Sequence, residues 1–91
     1  MNKLKILAVD DNPDILELLE ASLEDEFYVA KASTGKELFD TIEAEKPDIL
    51  ILDYMLPDTT GIEICRKLRE NPLFIHLPIL MLTGKGEVEN K

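Results

Sequence analysis

The chain has 91 residues, 45% of them hydrophobic, and its 19 Asp and Glu residues against 10 Lys and Arg give a formal net charge of −9. This length suits one small domain and leaves no room for a second, while an acidic balance with scattered basic residues excludes a nucleic-acid-binding surface and favours metal ions. The single cysteine excludes an internal disulfide, no apolar run approaches the ~18 residues of a membrane-spanning helix, and too few apolar residues precede Asp10 for a signal peptide, so we expect a cytoplasmic protein.

A buried strand is predicted first, over Lys5 to Val9, where an apolar run ends at the acidic pair Asp10-Asp11. Asn12 followed by Pro13 then marks a helix start, because Asn caps a helix and Pro is tolerated at its first position. That helix should run to about Asp25 and be amphipathic. Its apolar positions are Ile15, Leu18, Leu19 and Leu23, and its acidic positions include Glu17, Glu20 and Glu24.

A second strand and a second helix follow in the same order. Phe27 to Ala32 reads as a strand, and Lys31 within it favours an edge of the sheet over the centre. Ser33-Thr34 can cap the next helix, which we expect to reach about Ala44. Its buried positions are Leu38, Phe39 and Ile42.

The third strand, Asp48 to Leu52, is apolar up to its end and runs directly into Asp53. A loop containing Pro57 follows, and Asp58, Thr59 or Thr60 can cap a helix that begins at Gly61. We expect Ile62, Cys65 and Leu68 to line the inner face of this helix, with Cys65 in the core.

Ile79 to Leu82 forms a fourth apolar run, introduced by Pro78 and ended by Thr83. The order is therefore strand and helix three times, then a strand. Such alternation predicts an α/β fold with a mostly parallel sheet, right-handed crossovers and helices on both faces. In folds of this kind, ligands bind at the carboxyl ends of the strands.

Three carboxylates are expected at that edge of the sheet: Asp10 and Asp11 after the first strand, and Asp53 after the third. Mg²⁺ prefers oxygen ligands and is usually held by one or two carboxylates together with phosphate oxygens. A cation is also the simplest way to keep three neighbouring carboxylates ionised. The alternative is that these acids only cap the helices that follow them.

These residues together resemble the receiver domains of response regulators in two-component and phosphorelay signalling. The resemblance spans the chain and rests on Asp10-Asp11, on Asp53, on Pro57 and Gly61 at the family's offsets from Asp53, and on Thr83. It implies a flavodoxin-like (CheY-like) sheet. It also implies that Asp53 accepts a phosphoryl group from a histidine kinase or a phosphotransfer protein.

The resemblance assigns the other site residues as well. Asp11 and Asp53 would ligate Mg²⁺ directly, Asp10 would act through water, and the backbone carbonyl of Met55 would complete the metal shell. The Thr83 hydroxyl would donate to the phosphoryl group as a switch. The first helix, with Glu17 and Glu20, would dock the phosphodonor. Such a domain is at most a self-phosphorylating and self-dephosphorylating signalling domain, not an enzyme.

The sequence departs from the family after Thr83, since only eight residues follow it. A parallel crossover takes roughly 10 to 12 residues, so we expect residues 1–91 to form a receiver domain that lacks the family's fourth and fifth helices and fifth strand. The family's distal Lys is then absent, because Lys85 comes too early and reads as a solvated loop charge. The fourth strand should be a bare edge that favours a homodimer, a domain swap or completion by another chain.

Other classes fit less well. A haloacid-dehalogenase-type phosphatase needs a second Asp where this chain has Met55, and the residues Gly84-Lys85-Gly86 complete no nucleotide-binding fingerprint. His76 has no second ligand at metal spacing and is expected to be a structural or surface residue. The serious rival is a receiver-like module that binds Mg²⁺ without accepting a phosphoryl group and serves only for protein interaction.

Overall fold

Strands and helices alternate in the order that the sequence predicts. The computed structural model describes residues 3–82 and, for its backbone alone, 88–90. The elements are β1 (Leu4–Val9), α1 (Pro13–Leu23), β2 (Phe27–Ala32), α2 (Gly35–Glu45), β3 (Ile49–Asp53), α3 (Gly61–Arg69), β4 (Ile79–Leu82) and β5 (Val88–Asn90). None of these three helices has the length and apolar content that crossing a membrane requires.

The strands form one sheet in the order β2-β1-β3-β4-β5, and the first four are parallel to one another. The predicted α/β, flavodoxin-like fold is therefore confirmed, and β2 lies at an edge as Lys31 indicated. The apolar strands β1 and β3 occupy the centre. Val9 of β1 pairs with Leu52 of β3, which brings the carboxyl ends of the two strands level.

The core lies mainly on the side of the sheet covered by α2 and α3, because alternate strand residues face that side. Each fully buried leucine or isoleucine there contributes about 1.5–3 kcal/mol through the area it removes from water. The buried side chains on that side include Leu7, Val9, Leu50 and Leu52 from the strands, Leu38 and Ile42 from α2, and Ile64 and Leu68 from α3. Ile6, Ala8 and Ile51 are buried on the opposite side of the strands, where Leu16 of α1 is also buried.

In two helices, one of the predicted apolar positions is exposed and a neighbouring apolar residue is buried instead. In α1, Leu16 is buried and Leu18 is 62% exposed; in α3, Ile64 is buried and Ile62 is 40% exposed. The predictions for Leu18 and Ile62 were therefore wrong. Each helix carries more apolar residues than one stripe can bury, and the sheet selects which are covered. Cys65 is half-buried and packs against the core.

A short antiparallel strand, β5, lies beside β4, where the sequence predicted a bare edge. Leu80 pairs with Asn90 and Leu82 with Val88. Five residues separate Leu82 from Val88, too few for a parallel crossover, whereas antiparallel neighbours need only a short connection. The prediction of a bare fourth strand was wrong over this stretch. A homodimer or domain swap through β4 stays a prediction, but an unpaired strand edge no longer supports it.

Candidate functional site

Three carboxylates meet at the carboxyl edge of the central strands. Because Val9 pairs with Leu52 in parallel register, Asp10 and Asp53 leave neighbouring strands side by side, and Asp11 follows directly. Each of the three offers an oxygen, and these oxygens all lie within 4.8 Å of one another. The structure thus brings together the three acids that the sequence singled out.

Asp10 is the fixed member of this acidic cluster, the set Asp10, Asp11 and Asp53. It is only 6% exposed, and one of its carboxylate oxygens accepts a hydrogen bond of 2.9 Å from the backbone N–H of Asn12. Its own N–H donates to the Ala32 carbonyl at 3.1 Å, tying the end of β1 to the end of β2. Asp11 is exposed. The cluster therefore has a rigid buried side and a side open to solvent.

Asp53 is half-buried, and its surroundings shift the pKa of its carboxyl. Burial raises the pKa of its carboxyl above the ordinary value, and the charge of Asp10 raises it further. The backbone N–H groups of Met55 and Tyr54 act in the opposite direction, and Asp11 adds a smaller upward effect on the pKa. Without a cation, the ionised form of Asp53 is thus disfavoured by its surroundings.

The loop that follows Asp53, which we call the β3–α3 loop (residues 54–60), folds back on itself as a short hairpin. At its base, the N–H of Gly61 donates to the carbonyl of Tyr54 at 2.7 Å. Met55 and Thr60 form an antiparallel bridge above this. Near the tip, the N–H of Leu56 donates to the Thr59 carbonyl at 2.9 Å. Met55 is therefore held in regular backbone geometry two residues from Asp53.

Gly61 allows the close backbone approach at the base of the β3–α3 loop. A Cβ at this position would lie 2.8 Å from the backbone oxygen of Asp53 and 3.2 Å from the sulfur of Met81. Only glycine fits so close to a backbone oxygen without a shift. Thr60 caps α3 through its side-chain oxygen, which accepts from the N–H of Glu63 at 3.2 Å. Of the three capping candidates, the structure selects Thr60.

Asp58 has a role that no sequence pattern predicted. It does not cap its own helix; its two carboxylate oxygens accept hydrogen bonds from the N–H groups of Gly35 and Lys36, at 2.8 and 3.0 Å. These are the first two residues of α2, more than 20 positions earlier in the chain. These hydrogen bonds lower the pKa of the Asp58 carboxyl. No local sequence pattern predicts a helix cap supplied by a residue so far along the chain.

Of the other residues named from the sequence, Glu20 and His76 lie outside the acidic cluster. Thr83 and Lys85 fall outside the described residues, although Leu82, which precedes Thr83, pairs with Asp53. Glu20 forms an exposed ion pair with Lys31 at 2.8 Å. His76 is exposed and lines a cleft of about 540 Å³ whose walls contain none of the clustered acids. We place the functional site at the acidic cluster because its chemistry, not cavity size, fits a metal ion.

Comparison with known proteins identifies the family. The model of the response regulator receiver domain matches residues 6–91. The alkaline phosphatase synthesis transcriptional regulatory protein PhoP of Bacillus subtilis is 50% identical over 92 residues, which cover 100% of this chain and 37% of that protein. The regulatory protein VanR of Enterococcus faecium is 46% identical over 96% of this chain and 37% of its own length. The chain thus spans just over a third of these curated relatives.

Solved structures agree with this match. The chemotaxis response regulator CheY4 of Vibrio cholerae superposes with a TM-score of 0.85 at 32% identity, over 89% of this chain and 68% of that one. A response regulator receiver protein from Methanoculleus marisnigri, solved as its N-terminal domain, gives a TM-score of 0.85 at 31% identity, over 90% and 68% of the two chains. Sequence and fold therefore indicate the same family.

Proposed function

The chain belongs to the response regulator receiver domain family, a family of two-component signalling domains, and we propose that Asp53 is its phosphoacceptor. The phosphoryl group would come from a histidine kinase or a phosphotransfer protein. The observation that carries the proposal is the position of Asp53: it ends a central strand, beside two further carboxylates whose oxygens lie within 4.8 Å.

Mg²⁺ is the cofactor that these residues fit. The cluster offers oxygen donors only, at least two of them reachable from solvent, which matches the ligand preference of a hard cation that keeps several waters. We assign direct contacts to Asp11 and Asp53, a contact through water to Asp10, and a further ligand to the backbone carbonyl of Met55. When bound, the metal supplies positive charge that neutralises the carboxylates and the transferring phosphoryl oxygens.

The reaction that we propose is a phosphoryl transfer between two side chains. A carboxylate oxygen of Asp53 attacks the phosphorus of a phosphohistidine, the new O–P bond forms as the N–P bond breaks, and the imidazole nitrogen leaves with the electron pair. In the metal-free chain, burial and the charge of Asp10 raise the pKa of Asp53, and a bound cation would offset these effects and keep the carboxylate ionised for the attack. The buried Asp10 keeps the nucleophile's surroundings fixed.

The signal would follow from the new charge, since a phosphoryl group adds about 1.5 to 2 negative charges at neutral pH. We propose that the Thr83 hydroxyl donates to it, and that this bond biases the surface that a downstream protein or domain recognises. We also propose that the transfer takes place in the cytoplasm, where histidine kinases use ATP.

The test is intact-mass analysis after incubation with Mg²⁺ and acetyl phosphate. Wild type should gain the mass of one phosphoryl group, and Asp53→Asn should not. Asp25→Asn, at an exposed position outside the cluster, is the matched control and should gain the same mass as wild type. Failure of a folded wild-type chain to gain mass would refute the proposal and favour a module that serves only for protein interaction.

A further inference from the structure

We propose that Asp58 is a positioning residue for the acidic site: it fastens the tip of the β3–α3 loop to the start of α2 and so sets where the Met55 carbonyl lies relative to Asp53. This inference rests on the proposed function, because it concerns the same metal-binding site. It assigns to Asp58 no contact with the metal or with the phosphoryl group.

The contact is a two-pronged one. One carboxylate oxygen of Asp58 accepts from the N–H of Gly35 at 2.8 Å, and the other accepts from the N–H of Lys36 at 3.0 Å. Hydrogen bonds from amides to a charged acceptor are shorter and stronger than those between neutral groups. The negative charge also lies at the positive end of the helix macrodipole of α2.

Asp58 completes the hydrogen bonding of the first turn of α2. The first four N–H groups of a helix have no partner within the helix. In α2 these are the N–H groups of the cap residue Thr34 and of Gly35, Lys36 and Glu37, because the first bond within the helix runs from the N–H of Leu38 to the Thr34 carbonyl at 3.0 Å. The side-chain oxygen of Thr34 accepts from Glu37 at 3.0 Å, and Asp58 accepts from Gly35 and Lys36. Thr34 and Asp58 therefore cap the same helix, but only Asp58 connects it to the loop.

The shape of the contact supports the same conclusion. Gly35 faces the loop so closely that a Cβ there would lie 2.5 Å from the methyl carbon of Thr59 and 3.3 Å from a carboxylate oxygen of Asp58. A side chain at this position would push the tip away from the helix. The absence of one leaves room for the side chains of Thr59 and Asp58 to lie against the start of α2.

The backbone pairing within the β3–α3 loop connects its tip to the acidic cluster. Backbone pairing continues from the tip at Leu56 and Thr59, through the Met55–Thr60 bridge, to the base at Tyr54 and Gly61. A shift of the tip therefore moves Met55, whose carbonyl is the proposed ligand. The charges that raise the pKa of Asp53 are those of Asp10 and Asp11, so we assign to Asp58 an effect through geometry.

The experiment titrates nitrogen-15-labelled chains with Mg²⁺ and follows their amide NMR spectra. Asp58→Ala should raise the Kd for Mg²⁺ by about tenfold, as removal of groups that support metal ligands does. Thr34→Ala removes a cap from the same helix without touching the loop, and its Kd should stay within about twofold of wild type. Asp58→Asn, which keeps one acceptor oxygen, should fall between them.

A Kd for Asp58→Ala that matches that of Thr34→Ala would overturn the inference, since helix capping alone would then explain Asp58. If Asp58→Ala fails to fold by circular dichroism, Asp58→Asn decides: a Kd no different from that of wild type would overturn it. If wild type itself binds no Mg²⁺, the proposed function fails. Hydrogen exchange of Leu56 and Gly61 without metal then judges the attachment: faster exchange in Asp58→Ala than in Thr34→Ala supports it, and equal exchange overturns it.

Discussion

Asp10 and Asp53 lie side by side because the residues before them, Val9 and Leu52, are partners in the parallel pairing of β1 with β3. Asp10 is buried, and its charge is the second cause, after burial itself, that raises the pKa of Asp53. The arrangement is unfavourable for a metal-free chain and favourable for one that holds a cation. Two predictions about stability follow from this one relationship.

Asp53→Asn should stabilise the metal-free chain at neutral pH. The pKa of Asp53 is higher in the folded state than in the unfolded state, so its contribution to stability is fully present below the unfolded value, about 3.9, and is lost as the pH rises through the folded value. With solvent screening, we expect a gain of less than about 1 kcal/mol, or up to a few degrees in Tm.

Thermal unfolding in a chelating buffer checks this prediction. The Tm of Asp53→Asn should exceed that of wild type at pH 7, and the two curves should converge near pH 3. A gap that persists or widens in acid would show that the substitution acts through packing instead of charge.

Mg²⁺ should also stabilise wild type, because a bound cation relieves the repulsion among the same carboxylates. A ligand that binds only the folded state at ten times its Kd adds about 1.4 kcal/mol. Asp11→Asn, which removes an exposed member of the cluster, should lose most of that gain. Urea unfolding with and without Mg²⁺ measures both, with the exposed Asp25→Asn as the matched control. An equal Mg²⁺ effect in wild type and Asp11→Asn would contradict the assignment of Asp11 as a ligand.

Gly61→Ala should destabilise the fold by about 1–3 kcal/mol, because the added Cβ overpacks a site whose nearest neighbour is a backbone oxygen. That oxygen belongs to Asp53, 2.8 Å from the position of the Cβ. The neighbouring Ile62→Ala is the control, since Ile62 is partly exposed and should cost less. Chemical denaturation gives both values, and a smaller loss for Gly61→Ala than for Ile62→Ala would contradict the close approach.

The two leucines of α1 should behave very differently. Leu16 is buried, so Leu16→Ala should cost about 2–5 kcal/mol of unfolding free energy. Leu18 is 62% exposed, so Leu18→Ala should change it by no more than about 0.5 kcal/mol. Urea denaturation of the pair tests which face of α1 meets the sheet. The reverse ranking would restore the face that helical spacing alone suggested.

The parts of this fold that follow from local signals could be predicted from the sequence. Apolar runs ended by acids located β1 and β3. Local chemistry gave Asn12 as one cap and the pair Ser33-Thr34 for the next, where Thr34 is the cap. The acidic cluster followed from parallel register, since the ends of neighbouring parallel strands meet.

The parts that depend on distant contacts could not be predicted. The sheet, not the helical spacing, decides that Leu16 is buried in preference to Leu18. Asp58 caps α2 through a hydrogen bond from Gly35, a residue 23 positions earlier in the chain, and no local pattern reveals such a cap. The antiparallel β5 was not predicted, because the alternation of strands and helices indicates only a parallel successor to β4.

The central claim is that Asp53 carries the phosphoryl group, and the most direct measurement locates that group. Wild type is incubated with acetyl phosphate and Mg²⁺, then treated with borohydride, which reduces an aspartyl phosphate to homoserine, and its peptides are sequenced by mass spectrometry. We predict conversion at position 53 and at neither Asp10 nor Asp11. Conversion at another acid, or a phosphoryl group that resists borohydride, would contradict the assignment.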